Sequence, residues 1–113
     1  MEFEENLNKM YQEIANKINE MIPVEWERVY TMAYMNEESE EVFFNYTTPG
    51  SEELHYYTAI PKEHSVSKKI FDGLLDELYE CFEKLRDLFK EENQEPWTSC
   101  EFDFNNEGKL NVS

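Results

Sequence analysis

The chain has 113 residues, which fits one domain with its own hydrophobic core and leaves no room for a second. It carries 26 acidic residues against 10 Lys and Arg, a formal net charge of −16. This balance argues against binding to nucleic acid or to an anionic membrane surface, because both ligands require cationic protein faces. A hydrophobic fraction of 40% and an aromatic fraction of 15% argue against an acidic disordered chain.

The first residues, Met1 to Glu5, are acidic and lack the basic and apolar regions of a signal peptide. No apolar stretch approaches the ~20 residues that a membrane span needs. A disulfide between Cys81 and Cys100 is compatible with the sequence, but without an export signal two reduced and largely buried thiols are expected. We therefore expect a cytoplasmic protein.

The first half of the chain predicts one helix and three strands. Apolar residues recur at helical spacing from Phe3 to Ile22, and Pro23 ends the helix. From Val24 the period changes to two. One strand face is predicted to carry Trp26, Arg28, Tyr30, Met32 and Tyr34, and the other Val29, Thr31, Ala33 and Met35.

A polar turn at residues 36–41 precedes a second strand at residues 42–47. Residues 54–60 predict a third strand, closed by Pro61, so that the three strands form an antiparallel meander.

The second half of the chain predicts a long helix and a hairpin. Ser65 or Ser67 can cap a helix that runs to about Glu92, and Pro96 prevents its extension. Alternation then predicts a strand over 97–104, a turn over 105–108 and a returning strand from residue 109.

The predicted order is α-β-β-β-α-β-β, an α+β domain in which two long amphipathic helices pack on an antiparallel sheet. The strands carry large apolar groups on both faces, whereas two helices cover only one. The last strand also stops in mid-alternation. Either a C-terminal segment or a partner is therefore expected on the second face.

A row of six carboxylates follows the second helix at steps of four and three residues. At about 100° per residue these side chains share one arc opposite the apolar stripe, over a length of ~28 Å. The row consists of Asp72, Asp76, Glu80, Glu83, Asp87 and Glu91. Like charges at this spacing destabilise an isolated helix, so a basic partner would explain them. An ordinary solvated helix face, which also carries Lys69 and Lys90, is the alternative interpretation.

A second acidic cluster lies in the turn between the first two strands and consists of Glu37, Glu38, Glu40 and Glu41. Its composition is that of an ordinary solvated turn. Loop tips also commonly display binding groups, so the same residues are candidates for partner contact.

The chain has no convincing catalytic, cofactor or metal motif. His55 and His64 lack any zinc-ligand spacing, and no phosphate loop or nucleophile elbow is present. The run from Asp103 to Gly108 departs from a calcium loop at its fifth position and suits a hairpin turn. No catalytic residue, cofactor or metal is predicted, and an enzyme has no positive support.

Several long strings resemble those of the YezG-like antitoxin family, most closely its staphylococcal branch. The matching strings span residues 10–18, 21–26 (MIPVEW), 41–46 (EVFFNY), 85–90 (LRDLFK) and 95–104 (EPWTSCEFDF). The similarity extends over nearly the whole chain, and several strings in the same order are more specific than any single motif.

The resemblance implies an immunity protein, not an enzyme. That branch includes the immunity protein for a nuclease toxin exported by the type VII secretion system. The implied partner is thus the basic nuclease domain of a secreted toxin, which family members bind and block in the cytoplasm. An acidic chaperone or adaptor that delivers a secretion substrate is the alternative. Family members typically continue past residue 113, so this single antitoxin-like domain, 1–113, is expected to lack their C-terminal extension.

Overall fold

A computed structural model describes residues 2–113 and confirms the α+β class over that range. The helices within it are α1 (Glu2–Met21), α2 (Ile60–Glu63) and α3 (Lys68–Glu91). The strands are β1 (Arg28–Met35), β2 (Glu40–Thr47), β3 (His55–Tyr56), β4 (Ser99–Asn105) and β5 (Leu110–Val112). The two long helices and the predicted order of the elements are present.

The strands form one antiparallel sheet in the order β3-β2-β1-β4-β5. The register of β1 with β2 places Met35 opposite Glu40, which leaves a four-residue turn. The predicted meander of the first three strands is confirmed. β4 then pairs with the free side of β1, so that β1 lies at the centre of the sheet.

The predicted third strand over 54–60 is wrong beyond Tyr56. The chain turns instead into a 3₁₀ helix at Tyr57–Ala59 and then into α2, where Pro61 occupies the first turn. Proline is tolerated there because the first N–H groups of a helix have no partner within the helix. The turn buries Ile60 in the core and packs the ring of Tyr57 on Phe44, with ring centroids 5.4 Å apart.

The ends of the long helices follow local chemistry. α1 ends two residues before Pro23, as predicted. Of the two candidate serines, Ser67 caps α3, and its hydroxyl accepts a hydrogen bond from the N–H of Ile70 at 3.4 Å. Ser65 adopts a left-handed backbone with φ of 53° in the preceding loop. Asn93, with φ of 58°, turns the chain away after α3.

The core lies between the helices and one face of the sheet. Phe102 on β4 is at its centre and makes edge-on contacts with Tyr11, Phe82 and Phe104, at centroid distances of 5.7, 6.2 and 5.9 Å. Phe82 comes from α3 and Tyr11 from α1, so these rings join both long helices to the sheet. The four residues predicted to share one face of β1 are buried, namely Val29, Thr31, Ala33 and Met35.

The opposite face of the sheet is not covered by the helices, as expected. Tyr30, Tyr34 and Tyr56 are exposed there by 39%, 43% and 59%. Met32 and Phe43, which lie opposite each other on β1 and β2, are only partly buried. We call this surface the open face.

Trp26 does not belong to the open face, so its predicted position is wrong. β1 begins at Arg28, two residues after Trp26. The indole packs edge-on against Phe104 at 5.1 Å, and its Nε1–H donates a hydrogen bond to Asn19 Oδ1 at 2.9 Å. Trp26 thereby extends the core at the end of α1.

Phe102→Ala should lower the free energy of unfolding by about 3–5 kcal/mol, because it leaves a cavity among the aromatic rings that join the helices to the sheet. Urea unfolding followed by circular dichroism measures the effect. Tyr56→Ala, at an exposed position, should change stability by no more than about 0.5 kcal/mol. Similar losses in the two variants would contradict this description of the core.

Candidate partner-binding surface

The turn between β1 and β2 is held by the side chain of Asn36. Its Oδ1 accepts hydrogen bonds from the backbone N–H groups of Glu38 and Ser39 at 2.8 and 2.9 Å. The Asn36 N–H also donates to the carbonyl oxygen of Ser39 at 3.0 Å. This short, closed turn keeps the acidic side chains of residues 37–41 exposed at the tip of the hairpin.

The acidic row lies on the side of α3 that faces away from the core. The opposite side of the helix buries Phe71, Leu78, Phe82, Leu85 and Leu88. In the row, Glu83 is partly buried and the other five residues are exposed, namely Asp72, Asp76, Glu80, Asp87 and Glu91. The helical periodicity therefore predicted the placement of these side chains, while their role in binding stays a prediction.

The turn contacts the C-terminal half of α3. Glu37 Oε1 lies 3.6 Å from both Arg86 Nη1 and Lys90 Nζ. The Tyr79 hydroxyl accepts a hydrogen bond from the N–H of Val42 at 3.0 Å, which ties the helix to the start of β2. These contacts bring two clusters that are separated in sequence into one region of the surface.

Two carboxyl groups meet at this junction. A hydrogen bond with the carboxyl of Glu40 raises the pKa of Glu83, and partial burial and the nearby charges of Glu40, Glu80 and Asp87 raise it further. Such a hydrogen bond requires one of the two groups to be protonated. At neutral pH the two carboxylates repel, so negative charge is concentrated where the turn and the helix join.

Asp72 lies apart from the junction. It is eleven residues before Glu83, about 16 Å along the helix axis, and forms an ion pair with Lys68 at 2.8 Å. We therefore define the acidic surface as Glu37, Glu38, Glu40 and Glu41 of the hairpin together with Asp76, Glu80, Glu83, Asp87 and Glu91 of α3.

The acidic surface has few cations of its own. Arg86 and Lys90 pair with Glu37, and Lys17 of α1 pairs with Glu77 outside the row at 2.6 Å. Across residues 2–113, no side-chain nitrogen of Lys or Arg lies within 4.0 Å of a carboxylate oxygen of the α3 part of this surface. A cationic partner would therefore meet carboxylates that are not already held in ion pairs.

Sequence reasoning missed the role of Arg86 and Lys90. Arg86 also donates from Nε to the carbonyl oxygen of Trp97 at 3.0 Å, which fixes its guanidinium beside the turn. Their spacing of four residues places both at one edge of the row. Their partner, Glu37, is about fifty residues away in sequence, and no local pattern identifies a pair at that separation.

The described part of the chain also carries cysteines, histidines and further carboxylates outside the acidic surface. Within residues 2–113, no three or more His, Cys, Asp or Glu side chains come together as a possible metal site. Cys81 and Cys100 are free thiols, as expected, and burial raises the pKa of Cys100 to about 11. No helix in the same range combines the length and apolarity that a membrane crossing needs.

The model of the YezG-like immunity proteins matches residues 7–113, and the chain belongs to this family. It is 66% identical, over its full length, to the type VII secretion system protein EsaG of Staphylococcus aureus, covering 69% of that protein. It is 42% identical over 94% of its length to the immunity protein YezG of Bacillus spizizenii, covering 66% of it. With YezG of Bacillus subtilis the identity is 35%, over 94% of this chain and 70% of the relative. The chain thus spans about two thirds of the length of these relatives.

Glu83→Gln should stabilise the protein at neutral pH by some tenths of a kcal/mol, because it removes one of two repelling carboxylates at a site that solvent still reaches. In the wild type the folded state retains the Glu83 proton to higher pH than the unfolded state. Stability is therefore lost as the pH rises above the ordinary Glu pKa of 4.5. The advantage of the variant should thus appear above this pH and vanish below it.

Urea unfolding at a series of pH values measures this difference. Glu80→Gln, one turn earlier on the same arc, removes an equal charge but leaves the Glu40–Glu83 pair intact. If both variants show the same pH dependence, the carboxyl pair is not its source.

Proposed function

We propose that this chain is an immunity protein that binds and neutralises the nuclease domain of a toxin exported by a type VII secretion system. It acts in the cytoplasm as a stoichiometric inhibitor, without catalysis, cofactor or metal. Membership of the YezG-like immunity family and the likeness to a protein named for type VII secretion support this function. The acidic surface is the proposed contact region.

The observation that carries this proposal is the joining of the hairpin and α3 carboxylates into the acidic surface. A nuclease must attract phosphates and therefore presents basic groups near its active site. The carboxylates of its α3 part form no ion pair with a Lys or Arg side chain within residues 2–113, and so complement such a target. Charge complementarity of this kind speeds encounter and selects the partner.

Inhibition can follow two routes on this surface. Acidic residues that dock on the basic active site would occlude it directly. Alternatively, apolar contacts would disrupt the assembly of the toxin, and charge would affect only the association rate. Charge reversal on α3 separates these routes, because anchoring and steering differ in their effect on dissociation.

A chaperone or adaptor that delivers a secretion substrate is the second candidate. The name of the staphylococcal relative supports this candidate, because it refers to the secretion system and not to inhibition. Both candidates bind the toxin, but only an immunity protein blocks its chemistry. Co-purification of this chain with a candidate toxin nuclease domain, followed by DNA digestion, therefore distinguishes them. Binding with intact DNA cleavage would identify an adaptor.

A variant with Asp76, Glu80, Glu83 and Asp87 replaced by Lys should associate with the nuclease domain about ten- to a hundredfold more slowly at low salt. Its association rate should also depend less on ionic strength, because the attractive field has been reversed. Surface plasmon resonance over a salt series measures both effects.

The matched control replaces Glu25, Glu52, Glu53 and Glu107 by Lys, which changes the net charge equally. These exposed residues lie at the other end of the sheet, near the hydrogen bonds of Glu27 with Thr47 and Asn106. Unchanged affinity and salt dependence in the α3 variant, or equal losses in both variants, would refute the proposed role of the acidic surface.

A further inference from the structure

A groove of about 260 Å³ crosses the open face of the sheet between β2, β1 and β4. Its walls combine two kinds of chemistry. Tyr30, Met32 and Phe43 supply aromatic and thioether surface, and Glu101 and Asp103 supply carboxylates. The acidic surface includes none of these residues, so the groove is a separate feature.

Strand register brings an apolar side chain and a carboxylate together twice. Tyr30 lies directly opposite Asp103, and Met32 lies opposite Glu101. Side chains at such positions have Cβ atoms about 4.5–5.5 Å apart, which is contact distance for long groups. A ligand lying on the β1 side chains is therefore within reach of the β4 carboxylates.

Negative charge exceeds positive charge in this region. Partial burial raises the pKa of Asp103, although a backbone hydrogen bond at Thr31 opposes that effect. Arg28 lies on the same face at the start of β1, where a hydrogen bond with Tyr30 and the charges of Glu27 and Glu52 raise its pKa. Lys109 lies at the same end of the face, where it lines a depression with Arg28 and Asp103. The two carboxylates of the groove therefore sit closer to the centre of the face than these two cations.

We propose that this groove binds an arginine side chain presented by the basic partner. The identity of the partner rests on the proposed function. The chemistry of the contact rests on the groove. A guanidinium group is planar, stacks on aromatic rings and donates to carboxylates at the same time. Lysine carries a compact and strongly hydrated ammonium group, so it should bind less tightly to a groove of aromatic rings and carboxylates.

A second copy of this chain is a poor occupant of the groove. Face-to-face pairing would bring Glu41, Glu101 and Asp103 of one copy towards the same acidic face of the other, which repels. The hairpin also connects the groove with the acidic surface, since Glu41 lies opposite Tyr34 on the open face. One basic partner can therefore contact both regions around the tip of the hairpin.

The direct test titrates the isotope-labelled chain with N-acetyl-arginine amide and follows backbone amides by NMR. Saturable shifts should concentrate at residues 30–32, 43 and 101–103, and N-acetyl-lysine amide should bind several-fold more weakly. The double variant Glu101→Gln, Asp103→Asn should weaken arginine binding about tenfold. The double variant Glu4→Gln, Glu5→Gln, at exposed positions of α1 on the other side of the sheet, is the matched control for net charge.

Shifts spread over the acidic residues generally, or equal binding of the two amides, would overturn the proposal. So would equal effects of the two double variants. This arm uses no toxin, so its failure is distinct from failure of the proposed function, which appears as absence of binding to the nuclease domain.

The second test measures dissociation of the nuclease domain from the chain. Tyr30→Thr and the Glu101, Asp103 double variant should raise the dissociation rate about tenfold and leave the association rate within about twofold, since contact residues act chiefly on dissociation. The α3 charge reversals, by contrast, are expected to slow association. Radical footprinting of the wild type avoids any folding defect, and Tyr30 and Met32 should be protected in the complex.

Unprotected groove residues in a formed complex would overturn the inference while leaving the proposed function in place. A wild-type dimer that protects the same residues without the nuclease domain would also overturn it, because the groove would then be an interface between copies.

Discussion

The attachment of the helices to one face of the sheet is the constraint on which the remaining features depend. Phe102 on β4 contacts Phe82 of α3 and Tyr11 of α1, so three elements converge on one ring. Because the apolar side of α3 is committed to this contact, its polar side must face outward. The same packing leaves the second face of the sheet to solvent or to a partner. Both candidate binding regions are thus consequences of one packing arrangement.

The distribution of charge has a structural cost at one place in particular. The carboxyl groups of Glu40 and Glu83 lie together at the junction of the hairpin and α3. Glu37, in the same turn, forms ion pairs with Arg86 and Lys90. The cations near the hairpin therefore fix the turn to the helix and do not neutralise the rest of the row. Crowded carboxylates of this kind reduce stability by modest amounts, which a domain with a well-packed core tolerates.

Local patterns in the sequence predicted the long elements well, because each depends on its own residues. The apolar stripe from Ile70 to Phe89 predicts α3, although Ile70 itself is exposed, and alternation over residues 28–35 predicts β1. The strand predicted for the residues after Tyr56 is wrong, because a helical turn buries Ile60. The apolar character of a residue alone does not distinguish a strand from a helix. The predicted position of Trp26 is wrong for a similar reason. The alternating pattern starts before Arg28, the first residue of β1, and therefore includes residues that do not belong to the strand.

In the candidate sites, too, local patterns predict the components but not the contacts between distant residues. Helical periodicity gave the α3 row, and turn composition gave the acidic hairpin. Their junction depends on Glu37 contacting residues about fifty positions away, and the groove depends on β1 pairing with β4. Such pairings arise from tertiary structure, so single-sequence reasoning reached the components of the surface and not their arrangement.

β3, the outer strand beside β2, is short, with two residues. A short edge offers few unpaired N–H and C=O groups to an incoming chain. Growth of the sheet by addition of strands at this edge is therefore disfavoured, and the net charge of −16 opposes it further. Tyr56 can consequently expose its aromatic ring on β3 without offering a long backbone edge to another chain.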